Sequence, residues 1–149
     1  MMKGCDMRIT TKGRYGLRAM VDLAQQDGRG PVLMSDIAER LGVSRKYLHA
    51  LLTALRGEGL VRSVRGSGGG YCLTRCAAEI NVAEILSALE GHQTLVDCVQ
   101  DPSLCPRSSE CVARELWRDL GDVIQIHLSG ISLKKLAERG AELPLDLTQ

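Results

Sequence analysis

The sequence predicts a mainly helical fold: a winged helix-turn-helix with a two-stranded wing, followed by a long C-terminal helix. Three observations predict it. Apolar residues recur at helical spacing through the first part of the chain. Two short helical stretches meet at Gly42-Val43-Ser44 and lead into an alternating hairpin with a glycine tip. A long apolar stripe then begins at Val112, just beyond two prolines.

Each element has its own signal. Tyr15, Ala19, Met20, Leu23 and Ala24 place a helix over 12–26, ended by Asp27-Gly28-Arg29-Gly30-Pro31. Ile37, Ala38 and Leu41 mark a second helix over 36–41, with Ser35 as N-cap and Gly42 as stop. The third, over 45–56, opens at Ser44 and presents Leu48, Leu51, Leu52 and Leu55 to the core. Residues 60–65 and 71–74 alternate as strands around the glycine-rich tip 66–70. Asn81 and Glu84 match a capping box that opens a helix over 82–89. Pro102 and Pro106 make 92–110 a loop. A long helix over 111–129 carries Val112, Leu116, Leu120, Val123, Ile124 and Leu128, and the stripe continues to Ile131. A last helix over 133–139 is capped by Ser132 and stopped by Gly140, leaving 141–149 as a loose tail.

Charge divides the chain. From Met1 to Arg75 there are 13 Lys and Arg against 6 Asp and Glu; from Cys76 to Gln149 there are 6 against 12. A basic half joined to an acidic half points to nucleic acid at the basic end. In a helix-turn-helix the second helix enters the major groove by its N-terminal residues. Those are Ser44, Arg45, Lys46, Tyr47 and His49, which supply cations for phosphates and guanine and polar groups for base edges. Arg62, Arg65, Ser67, Gly68, Gly69 and Tyr71 would form the contacting part of the wing, and Arg8, Lys12 and Arg14 would add phosphate contacts. The competing reading is a helical protein-interaction module with a solvated basic face.

Apolar runs fall short of the roughly 18 residues of a membrane span, and the N-terminus carries no apolar signal stretch, so the cytoplasm is the expected location. Thiols stay reduced there, and six cysteines then suggest metal ligation or redox chemistry before disulfides. Cys98, Cys105 and Cys111 stand close together, just before the long helix and at its start. By spacing alone they suit an iron–sulfur cluster, zinc, copper(I) or free redox-active thiols. No CxxC pair and no catalytic constellation is present, so no enzyme is expected.

The stretch Met7-Arg8-Ile9-Thr10-Thr11-Lys12-Gly13-Arg14-Tyr15-Gly16-Leu17-Arg18-Ala19-Met20 resembles the start of the IscR/NsrR family, also called the Rrf-two family of transcription regulators. So do Ile37-Ala38, Ser44 to Leu48, the wing from Leu60 to Tyr71, Ile80-Asn81-Val82, Glu90-Gly91, the cysteine segment, Leu116-Trp117 and Leu133. The resemblance implies a winged-helix DNA-binding domain over 7–80, a connecting helix and cysteine loop over 81–110, and a dimerisation helix with a short terminal helix over 111–140. It implies a homodimer on a palindromic operator of double-stranded DNA, expected to repress, with no membrane association. It also implies an iron–sulfur cluster (2Fe–2S or 4Fe–4S) held by Cys98, Cys105 and Cys111, whose state switches DNA binding. An alternative within the same family is a cluster-free member regulated by an enzyme partner, a small molecule or thiol redox state.

Two departures matter. Six residues separate the first two cysteines, where five are more usual. In cluster-binding relatives of the IscR kind, a histidine lies three residues after the third cysteine; Arg114 stands there, and a guanidinium does not ligate. The NsrR kind uses an aspartate of the partner's first helix, at a position matched by Arg14. For the fourth ligand this leaves Glu115, four residues after Cys111 on one helix face, then Glu110 and His92, or a ligand from outside the chain.

Overall fold

The computed structural model describes residues 9–91 and 94–142. Helix α1 (Thr11–Gln25) lies at the centre. Helices α2 (Met34–Leu41) and α3 (Arg45–Gly57) pack on it, and β1 (Val61–Val64) pairs antiparallel with β2 (Gly70–Leu73). Helix α4 (Val82–Glu90) follows, then a four-residue helix α5 (Asp97–Gln100), the long α6 (Val112–Ser129) and α7 (Leu133–Glu142). The mainly helical class and the two-stranded wing agree with the pattern of the sequence.

Local chemistry explains the boundaries. The Thr10 hydroxyl accepts the Gly13 N–H at the start of α1, and the Ser44 hydroxyl accepts the Tyr47 N–H at the start of α3. Helix α2 begins two residues earlier than expected, with Leu33 in the capping position. Ser35 therefore lies inside the first turn, where its hydroxyl bonds Asp36 at 3.1 Å instead of capping. Gly42 ends α2 at a φ of +66°, a left-handed conformation that suits glycine. Helix α7 also runs past its expected stop. Gly140 sits within it against Gln25, whose amide donates to the Ala137 carbonyl, so the missing side chain lets α7 lie close to α1.

The core is aliphatic. Met20 of α1, Ile37 of α2, Leu48 and Leu52 of α3, Ile85 of α4 and Leu133 of α7 are fully buried in one cluster. The terminal helix thus returns to the head and shares its core. A buried carboxylate, Asp22 of α1, is paired bidentately with Arg40 of α2 at 2.7 and 2.8 Å, which satisfies the charge inside the fold.

Two contacts tie α4 to its neighbours. Asn81 and Glu84 form the capping box, and Arg75 adds an ion pair to Glu84 at 2.9 Å. The Asn81 N–H, then Arg75, hold the Glu84 carboxyl below its ordinary value of 4.5. A lowered folded value means that this stabilisation is present above the ordinary value and is lost as pH falls through the folded one. Glu84→Gln is therefore expected to be less stable than the parent at pH 7, with the gap closing below about pH 4.5; equal stability at both pH values in urea unfolding would remove the assignment. At its other end α4 meets the start of α1. Thr10 donates its N–H and its hydroxyl to Glu90 Oε1 at 2.7 and 2.6 Å, supplying the anion that the first turn of α1 lacks.

Candidate nucleic-acid interface and cysteine segment

The turn at Gly42 sends α3 out with its leucines inward and its N-terminus outward. Ser44, Arg45, Lys46 and His49 are exposed. Tyr47 is half-buried, with its ring edge-on to Tyr15 at 6.1 Å, and Arg18 lies 5.3 Å from the centre of the Tyr15 ring. This aromatic–cation stack braces α3 against α1. Lys12 and Arg14 are exposed on the first turn of α1. Arg8 and His92 lie outside the described residues.

In the wing, Arg62 and Arg65 are exposed, as are Ser67 and Gly68 at the tip. Gly69 is buried: a side chain there would run into the Val64 and Gly66 carbonyls. Tyr71 is half-buried and its backbone exchanges hydrogen bonds with Val32 at 2.8 Å in both directions. Val32 thus braces the hairpin from the segment before α2. No periodicity announces a single residue in a bridge, and the sequence reading missed it. Gly70 fits the same place, because its backbone runs directly beneath the Val32 carbonyl.

The cysteine segment is more ordered than a plain loop. Cys98 lies in α5, Cys105 follows a 3-10 turn (Pro102–Leu104), and Cys111 stands at the N-cap position of α6; all three are half-buried. Arg114, in the first turn of α6, donates its Nε–H to the Cys98 carbonyl at 2.8 Å. Glu110 and Glu115 are exposed. Of the other described cysteines, Cys72 is half-buried on β2 and Cys76 is exposed. Three soft, half-buried thiols fit an iron–sulfur group in donor chemistry. Among the described residues, however, no three His, Cys, Asp or Glu side chains are gathered as a metal-binding set. The arrangement as folded therefore supplies donors without assembling them.

The stripe read along α6 is two faces. Ile124, Leu128 and the following Ile131 are half-buried, and α6 packs on α4. Val112, Leu116, Leu120 and Val123 point outward, joined by Ile126 from outside that stripe, with exposures of 79, 57, 38, 60 and 73%. Their spacings of four and three keep them on one side of the helix. Five large apolar side chains in a row on a solvent face mark a surface built for contact. Among the described residues no helix is long and apolar enough to cross a membrane.

A helix-turn-helix with a basic N-terminus on its second helix, beside a basic glycine-tipped wing, defines a winged-helix DNA-binding regulator. Residues 9–139 match the Rrf2 family, described as iron-dependent transcriptional regulators, and the chain belongs to that family. It is 47% identical over 130 residues to the HTH-type transcriptional regulator IscR of Photorhabdus laumondii, covering 87% of this chain and 79% of that one. Its fold matches IscR of T. potens with a TM-score of 0.75 at 36% identity, covering 93% of each chain. It also matches CymR, the global cysteine regulator of B. subtilis, with a TM-score of 0.74 at 36% identity, covering 89% of this chain and 98% of that one. The chain is thus an IscR-type transcriptional regulator and not an enzyme.

Proposed function

We propose that this regulator binds a palindromic operator as a homodimer, represses transcription, and changes its DNA affinity with the state of an iron–sulfur cluster on Cys98, Cys105 and Cys111. The observation that carries the proposal is positional. Three half-buried thiols lie on a segment docked to the first turn of α6, and the outer face of α6 is the exposed apolar stripe. A change in that segment acts where the two heads would be held in register. The proposed base-edge contacts come from Ser44, Arg45, Lys46, Tyr47 and His49. Arg62, Arg65, Ser67, Gly68, Gly69 and Tyr71 would hold the wing on the backbone or in the minor groove, with Gly69 and Tyr71 acting by shaping the hairpin. Arg8 and Lys12 would pair with phosphates. When bound, the cluster supplies reactivity toward redox or gaseous signals. The chain's own residues provide three thiolates and leave the fourth ligand among Glu115, Glu110, His92 and molecules from solution.

A specific observation supports a second reading, a cluster-free regulator. The thiols are not gathered, and Arg114 occupies the place of the IscR-kind histidine while bonded to a backbone carbonyl. Anaerobic purification separates the two. The cluster reading expects brown protein with about 2 or 4 irons per chain, and loss of most visible absorbance in each of Cys98→Ala, Cys105→Ala and Cys111→Ala. Colourless protein selects the second reading, and three variants that keep the parent spectrum overturn the ligand assignment. Operator affinity of loaded and unloaded protein is compared at one salt concentration, because phosphate contacts make binding steeply salt-dependent.

A further inference from the structure

The cysteine segment carries its own hydrogen bonds. The Asp101 N–H reaches the Asp97 carbonyl at 2.9 Å, and Ser103 donates its N–H and hydroxyl to Asp101 Oδ1 at 3.0 and 2.6 Å. The Ser108 N–H bonds the Cys105 carbonyl at 3.1 Å, and its hydroxyl bonds the Pro102 carbonyl at 2.7 Å. None of these bonds uses a sulfur. Across to the long helix runs the bond from Arg114 Nε to the Cys98 carbonyl. Arg114 is half-buried, three residues after Cys111, so one side chain connects the backbone at the first thiol to the helix turn that follows the third. The planar fork of a guanidinium holds direction, so this bond needs no metal.

We propose that Arg114 is a positioning residue that docks the Cys98 end of the cysteine segment on α6 without a metal, keeping Cys98 beside the long helix whether or not the thiols hold a group. A ligating histidine at this position would hold the segment only through what it ligates. The arginine pre-organises its Cys98 end, which lowers the ordering cost of loading and keeps that end in place on unloading. The inference rests on reading the segment as the sensor, but not on the cluster.

The test uses the full-length, reduced protein freed of iron by chelation under anaerobic conditions. Iodoacetamide labelling is followed by peptide mass spectrometry, with exposed Cys76 as internal reference, and tryptic cleavage at exposed Arg107 gives a second readout. Arg114→Met keeps the apolar stem and removes the donors. It is expected to raise the labelling rate at Cys98 about five-fold, the opening that one net hydrogen bond controls. Cleavage at Arg107 should rise in parallel and Cys76 should stay at its parent rate. Arg114→Lys, which retains a charged donor, should recover most of the protection. Parent-rate labelling of Cys98 in Arg114→Met overturns the proposal, as does equal acceleration at Cys98 and Cys76, which reports general opening. Because this is read on unloaded protein, it is separable from the cluster test: colourless protein with lost protection keeps Arg114 and rejects the cluster, and brown protein with unchanged protection does the reverse.

Discussion

Leu116→Asp combined with Val123→Asp is expected to yield a folded monomer and to lower operator affinity by roughly a hundred- to a thousand-fold, the range that linking two modest binding sites supplies. Both side chains are more than half exposed on the outer face of α6, away from the α4 contact, so two carboxylates there cost the subunit little. Across a two-fold interface they would lie in an apolar seam, where unpaired charges are strongly disfavoured. A single head reads one half-site, while a dimer reads two in fixed spacing. Sedimentation checks the oligomer and fluorescence anisotropy the operator. A double variant that stays dimeric would move the interface elsewhere. A monomer of unchanged affinity would separate dimerisation from DNA binding.

Gly16→Val is expected to destabilise the subunit by about 2–3 kcal/mol, lowering the thermal midpoint by roughly 8 °C. Gly16 lies in α1 against Leu89 of α4, and a Cβ there would overlap that leucine from its branch point outward. Leu89 is itself buried, so it has no free space to enter. Replacing a helical glycine usually gains up to about 1 kcal/mol of propensity, less for a β-branched residue, which is too little to offset overpacking in a closed core. Gly13→Ala makes the contrast. Its new methyl meets the end of the flexible Glu90 side chain, which is able to swing away but then abandons Thr10. Thermal unfolding of the two variants separates these cases: a midpoint for Gly16→Val within 2 °C of the parent, against the roughly 8 °C expected from overpacking, would mean that α4 moves off α1 freely.

Much of this was legible from residue order. Helical spacing in α1 and α3, the Ser44 and Asn81 caps, and the glycine-tipped hairpin each depend on interactions within a few residues, so their signals are local. The basic residues at the start of α3 and on the wing were legible for the same reason: burial of Leu48, Leu51, Leu52 and Leu55 forces Arg45, Lys46 and His49 outward. Ser35 misled because a hydroxyl before an acid resembles a cap wherever it stands. Gly140 misled because a glycine that stops a helix and one that admits a neighbouring helix look alike in sequence.

The sequence by itself determined the order of elements, the direction in which α3 presents its cations, and the presence of three thiols beside a long helix. These follow from periodicity, capping and residue chemistry. Only the tertiary structure decided the long-range facts. Helix α7 returns to complete the core around α1, and the α6 stripe divides into a face that packs inward and a face left open. Val32 braces the wing, and Arg114 reaches across to the carbonyl of Cys98. The physical reason is that each joins residues whose separation along the chain carries no period. Their meeting is set by how whole helices pack, which no local pattern encodes.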